Sequence, residues 1–341
     1  MIVIGGIMEK RVWGLILIHY AIFGAEFLPS SLQNLGNTCY INSTLQCLRT
    51  IPELRTLVRN YQGDDAVTKA YQAVMGVDGP PEMRPFIACL KQEDVMGGLA
   101  VNSQQDAAEF FENLINRLHP QPAVQNLFHV KQKLVTISHD PDFQRAPVEQ
   151  DTVVVRIGEE FLRDKKRGTP VEFLVKKFFS NEKEAVIEVE RSGKNKKIPI
   201  TEQNVLGHAG PFLVVAVPRF DASQRKIKTP IWSRMEPFDI YDETGTHYTY
   251  ALIGCVLHAG EDISTGHYTA VVKHQDHWYF CDDDIVEPIT SGDAGARLSN
   301  ASNFNSYLYF FKLQNKKIML SKPLMKEKPT RGLGDVLALH S

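Results

Sequence analysis

The pattern of hydrophobic and polar positions changes character near residue 120. From Leu28 to about Leu118 apolar residues recur with a helical period: Ile41, Leu45 and Leu48 stand at i, i+4 and i+7, and Phe110, Leu114, Ile115 and Leu118 share one helical face. Gly79-Pro80-Pro81 interrupts this pattern as a loop between helices. Beyond residue 120 the apolar runs are short and rich in Val, Ile, Phe and Thr, at 171–175, 185–189, 212–217 and 250–256. Turn-forming stretches at 191–195 and 243–246 separate them, which predicts antiparallel strands. Helices followed by strands make an α+β arrangement.

Two terminal segments stand apart. Residues 12–23 form an apolar run after Lys10 and Arg11, shorter than the roughly 20 residues of a spanning helix. Residues 1–27 therefore read as a packed element, a membrane anchor or a targeting sequence. From Gln314 to Ser341 six Lys or Arg stand against two acids, a net of +4, and the segment reads as a flexible basic tail.

Composition narrows the class. A 43% apolar and 23% charged chain of 341 residues fits a soluble globular protein of two or three units, or one enzyme domain with insertions. With 38 Lys plus Arg against 40 Asp plus Glu, no basic excess points to a nucleic-acid partner. The five cysteines, at 39, 47, 89, 255 and 281, include no CxxC pair. That excludes a disulfide framework and structural zinc and suggests a reducing compartment, cytoplasmic or nuclear, with membrane contact through residues 12–23 as the alternative.

Candidate chemistry begins at Cys39. In Asn34-Leu35-Gly36-Asn37-Thr38-Cys39-Tyr40, Gly36 permits a tight turn, Asn37 or Thr38 can cap, and an amphipathic run from Tyr40 to Thr50 stops before Pro52. Cys39 thus falls in a first helical turn, where unpaired N–H groups and the helix dipole favour a thiolate and can also hold an oxyanion. Asn34 offers a further amide donor. Cys47, two turns along, reads as a buried thiol.

A nucleophilic cysteine needs a base and a group that orients it. Residues 266–273 and 278–284 are apolar runs around the polar turn His274-Gln275-Asp276-His277, and they read as a β-hairpin. If Lys273 opposes Trp278, His267 lies against Asp284 with Asp282 diagonally adjacent, and Asp283 points to the other face. The residues alone leave the orienting acid open among Asp282 to Asp284.

The segment from Asn34 to Leu48 resembles the Cys box of the ubiquitin-specific proteases, and the stretch from Tyr250 through Gly266-His267-Tyr268 to Asp282-Asp283-Asp284 resembles their His box. Gln104-Gln105-Asp106-Ala107-Ala108-Glu109-Phe110, the run 212–220 and the closing strand at 307–311 also match that family. The resemblance implies a papain-like α+β hand: helical thumb (28–120), strand-built fingers (121–210) and mixed palm (211–313). It makes Cys39 the nucleophile, His267 the base, Asp282 the orienting acid and Asn34 the oxyanion donor, with no cofactor.

Asp106 and Glu109 fall on acids that meet the basic C-terminal tail of ubiquitin, while Ser103 to Asp106 also reads as a capping box. Gly266 and Tyr268 would border the path of that tail to Cys39. The implied partners are ubiquitin and ubiquitinated proteins. The fingers match weakly and lack the zinc-binding CxxC pairs that many members carry, so no metal is expected. An inactive ubiquitin-binding module, or a protease for another ubiquitin-like modifier, would share the same frame.

Overall fold

The computed structural model describes residues 28–318, apart from short stretches at 77–78, 102, 139, 163–167, 192–193, 222, 224, 228, 263–264 and 300–303. The apolar run at 12–23 and most of the basic tail lie outside the described residues. Helices come first: α1 (Cys39–Arg49), α2 (Pro52–Arg59), α3 (Ala66–Met75), α4 (Arg84–Gln92), α5 (Ala107–Arg117) and α6 (Gln121–Phe128). Strands β1 (Val130–Ser138), β2 (Val148–Thr152), β3 (Val155–Arg156) and β4 (Thr169–Pro170) lead to α7 (Val171–Phe178). Then follow β5 (Glu182–Arg191), β6 (Lys194–Ala209), β7 (Phe212–Ala216), β8 (Ile231–Trp232), β9 (Phe238–Tyr241) and β10 (His247–Asp262). The chain closes with β11 (Thr265–His274), β12 (His277–Asp282), β13 (Ile285–Ile289), α8 (Ser291–Leu298) and β14 (Phe304–Lys317).

The largest sheet runs β13-β12-β11-β10-β14-β7-β3, with β9 paired to the start of β10. Both of its faces are covered, which explains the continuous apolar run at 212–217. Val214, Val256, Val272 and Phe310 pack beneath α1 and α5, whereas Val215, Leu257, Val271 and Phe311 face a second core that includes α7 and α8. Phe111 of α5 meets Phe310 edge-on at 5.4 Å, tying the helical layer to the sheet. Gln314 to Lys317, the first residues of the segment read as a flexible tail, belong instead to β14.

Helix α1 departs from the amphipathic reading. All eleven of its residues are buried, although it carries Asn42, Ser43, Thr44 and Gln46. The Asn42 amide donates to the Leu32 carbonyl at 3.0 Å and that of Gln46 to the Ser30 carbonyl at 2.7 Å; both Ser43 and Thr44 hydroxyls return to the Tyr40 carbonyl. An unmade bond at such a site costs about 1–3 kcal/mol, so Asn42 and Gln46 fix residues 30–32 against the helix.

Residues 171–175, read from sequence as a strand, begin α7. Val171, Leu174, Val175 and Phe178 are buried at helical spacing, Pro170 precedes the first turn, and Lys176 and Lys177 close the last. Glu172 is buried among them because its carboxylate accepts from the Ser233 hydroxyl and the Arg234 N–H. A second, four-stranded antiparallel sheet, β2-β1-β6-β5, stands apart, with Ile198 and Ile200 buried on it and Asp140 bound to Lys196 at 2.8 Å.

Candidate active site

The turn before α1 is built by two residues in the left-handed region, Gly36 (φ 91°) and Asn37 (φ 55°), conformations that glycine and asparagine accept at least cost. The side-chain oxygen of Asn34 accepts from the N–H groups of Gly36 (3.0 Å) and Thr38 (3.2 Å) and so holds the turn. Thr38 occupies the cap position without capping; its hydroxyl accepts from the Leu35 N–H at 3.0 Å. The Thr38 carbonyl takes the N–H groups of Ile41 and Asn42, each at 3.0 Å. The N–H groups of Cys39 and Tyr40 are thereby left at the positive end of the helix, beside the thiol.

His267 reaches this thiol from β11. Its Nε2 lies 2.5 Å from Asp282 Oδ1 and 4.0 Å from Asp283 Oδ2. The Cys39 sulfur is the main influence raising the ring's pKa; partial burial opposes it, and Asp282 adds to it, so His267 is pushed up to about 9. At neutral pH the ring is therefore cationic, flanked by sulfur on one side and carboxylate on the other.

The hairpin has the register implied by its polar turn: Lys273 pairs with Trp278, and pairing runs on to Ala270 opposite Cys281. It stops there, so His267 never lies opposite Asp284, which is exposed. The reason is Asp283, whose φ of 50° breaks strand alternation and starts the turn into β13. Asp283 accordingly does not point to the far face. Its Oδ2 accepts from the Asn34 amide (2.8 Å), its Oδ1 from the Asn42 amide (2.7 Å), and its carbonyl from the Leu32 N–H (2.9 Å). Burial raises its pKa, and the two amides counter that.

One carboxylate thus ties the end of β12 to both the Cys39 turn and α1. Sequence reasoning missed this role, because an Asn one turn beyond Cys39 and the second of three aspartates are paired only in space. Asn34 gives one amide hydrogen to Asp283, and its amide carries a second.

Asp106, Glu109 and Tyr268 line a cavity of about 520 Å³, with Gln104, Arg156, His258 and Tyr307. Asp106 is itself the N-cap of α5, accepting from Ala108 (2.7 Å) and Glu109 (2.8 Å), where Ser103 had been read as the start of a capping box. Its other oxygen accepts from the Tyr307 hydroxyl. Arg156 is paired with Glu112 at 2.7 Å, which offsets one positive charge next to the acids. Gly266 is hemmed in: a Cβ there would lie 2.2 Å from the Ala259 carbonyl oxygen. All five cysteines are unpaired, and burial pushes the Cys47 thiol well above its ordinary range.

A profile described as ubiquitin carboxyl-terminal hydrolase matches residues 30–311, most of the chain. The chain belongs to this family. Similar curated proteins include ubiquitin carboxyl-terminal hydrolase 36 of Drosophila simulans, 25% identical over 82% of this chain, and that of Drosophila melanogaster, 25% identical over 82%. The match spans only 31% and 29% of those longer proteins. Among solved structures, the SAGA DUB module Ubp8/Sgf11/Sus1/Sgf73 bound to monoubiquitin is similar with a TM-score of 0.69 at 19% identity, covering 92% of this chain and 77% of that one. The same module bound to ubiquitin aldehyde gives 0.66 at 19% identity, covering 91% and 75%. The fold is therefore that of Ubp8. No helix among the described residues is long and apolar enough to cross a membrane.

Proposed function

We propose that this chain is a deubiquitinating cysteine protease that hydrolyses the isopeptide, peptide or thioester bond after the C-terminal glycine of ubiquitin. The observation that carries the reading is His267, held by Asp282 at 2.5 Å and with its pKa raised chiefly by the sulfur of Cys39, which opens a helix. In this mechanism the Cys39 thiolate attacks the glycine carbonyl, and the N–H groups of the first helical turn with Asn34 hold the oxyanion. His267 protonates the departing lysine amine, then takes a proton from the water that hydrolyses the thioester, regenerating thiol and free carboxylate. Asp282 orients the ring and stabilises its charge.

Asp106, Glu109, Gly266 and Tyr268 would border the ubiquitin tail within a domain of 28–313, divided into thumb (28–120), fingers (121–210) and palm (211–313). Free thiols fit a reducing compartment, cytoplasm or nucleus. The test is incubation with ubiquitin, and with related modifiers, bearing a thiol-reactive C-terminal trap. A Cys39-dependent adduct with ubiquitin is expected; binding without an adduct would mark an inactive module, and an adduct only with another modifier would reassign the substrate.

A further inference from the structure

His267 stands where the large sheet runs out of partners. Pairing of β11 with β12 ends at Ala270 opposite Cys281, so at the imidazole β11 is paired with β10 alone. There Ala259 of β10 lies opposite His267 on one side and opposite Phe304 of β14 on the other. Residues opposite one another in antiparallel strands share a face, so His267, Ala259 and Phe304 form one row across three strands. The outer strands of such a row lie about 9.5 Å apart, yet the two rings approach to 6.4 Å between centroids at an interplanar angle of 62°. They meet over the methyl group of Ala259, which is too short to separate them. Phe304 itself packs at the margin of the second core, so the contact joins the imidazole to the body of the protein.

The other holds on the ring are polar. Nε2 is bound to Asp282 at 2.5 Å, Asp283 stands 4.0 Å off, and the sulfur of Cys39 acts on the ring from α1. They grip the rim of an imidazole whose side chain is still 37% exposed. The sulfur's share is not constant: once Cys39 is acylated it carries no charge, and the ring then serves water in place of the amine. We infer that Phe304, leaning across the gap left by Ala259, is a positioning residue for His267, an apolar wall that keeps the imidazole aligned while its partner on the sulfur side changes. The wall matters most in the thioester, when Asp282 and Phe304 are the holds that the reaction has not altered. This rests on the deubiquitinase reading for the thioester, though not for the packing of the ring.

The test uses the full chain and approaches the row from both ends. Phe304→Ala removes the wall, and Ala259→Val, at a half-buried strand position, fills the gap and pries the rings apart. With ubiquitin joined through its C-terminal glycine to a fluorogenic amine, each should lower kcat by about 3- to 10-fold with KM unchanged, active sites being counted by the ubiquitin trap. Phe304→Tyr, which keeps a ring, should hold kcat within about 2-fold of the unaltered chain. The double variant should be no slower than the slower single one, since one contact can be lost only once. In parallel, carbon relaxation at Cε1 of His267 in substrate-free protein should report a looser ring in both single variants. Unchanged kcat, additive losses, a tyrosine variant as slow as the alanine one, or an unloosened ring would each overturn the wall. If the unaltered chain forms no adduct with ubiquitin, the deubiquitinase reading falls and the relaxation measurement alone decides whether Phe304 steadies the ring. An adduct with unloosened rings sinks the wall and spares that reading.

Discussion

The junction around Cys39 and the sheet of β2, β1, β6 and β5 are built on opposite terms. At the junction Asp283, Asn34, Asn42 and Leu32 are bound to one another across some 250 residues of sequence, and all of α1 is buried. In the second sheet Val186 is 62% exposed and Ile137 46%, and the pairs Lys131 with Glu149 and Lys197 with Glu188 lie at the surface, where such bridges contribute little. The junction is over-determined because a reacting geometry tolerates little slack, whereas a sheet whose outer face carries no described chemistry needs only its few buried positions. The same division separates the stretches that resemble the family strongly from those that resemble it weakly.

The sharpest break in that comparison is Cys39→Ala, expected to lower turnover by about 10⁴-fold or more while leaving ubiquitin binding in place, as measured by kinetics and titration calorimetry. Next comes Asp283→Ala, which strands the amides of Asn34 and Asn42 and should cost about 2–4 kcal/mol in chemical denaturation as well as activity. Asp282→Asn should move stability by less than about 1 kcal/mol, since its partner ring is partly exposed, and should reduce turnover less than His267→Ala does. Equal denaturation midpoints for Asp283→Ala and the unaltered chain would show that the tie is ornamental.

The pH profile follows from His267. Its pKa is raised from 6.5 to about 9 in the fold, so the protonated form is favoured, and that contribution is full below about 6.5 and disappears as pH rises through about 9. Because the cationic ring supplies the proton to the leaving amine, kcat/KM should fall through the same region, and Asp282→Asn should move that limb to lower pH. A limb unmoved by the substitution would remove Asp282 from the role. The smallest effects belong to the second sheet: Val186→Thr should change stability by less than about 0.5 kcal/mol, against about 1–3 for the buried Ile198→Ala.

What could be read from sequence depended on whether the signal was local. The turn at 274–277 sets the Lys273–Trp278 register by its length, and the placement of Cys39 at a helix start follows from Gly36 and the run after it. The strand reading of 171–175 failed because a five-residue apolar run suits either period, and only Phe178, one turn further on, discloses the helix. The aspartate run was misjudged where a single left-handed residue, Asp283, cancelled the alternation that had been extrapolated through it. Phe304 was beyond reach for a different reason: it is not unusual in its own segment, and only the pairing of β10 with both β11 and β14 brings it to His267.

The position of β14 bears on how the molecule comes into being. It is the last described strand, yet it pairs with β10 on one side and β7 on the other, in the interior of the sheet. A nascent chain leaving the ribosome therefore carries its sulfur from the outset but cannot complete the scaffold that presents the imidazole until residues 304–317 have emerged. The imidazole therefore has no finished sheet behind it until that late segment is in place.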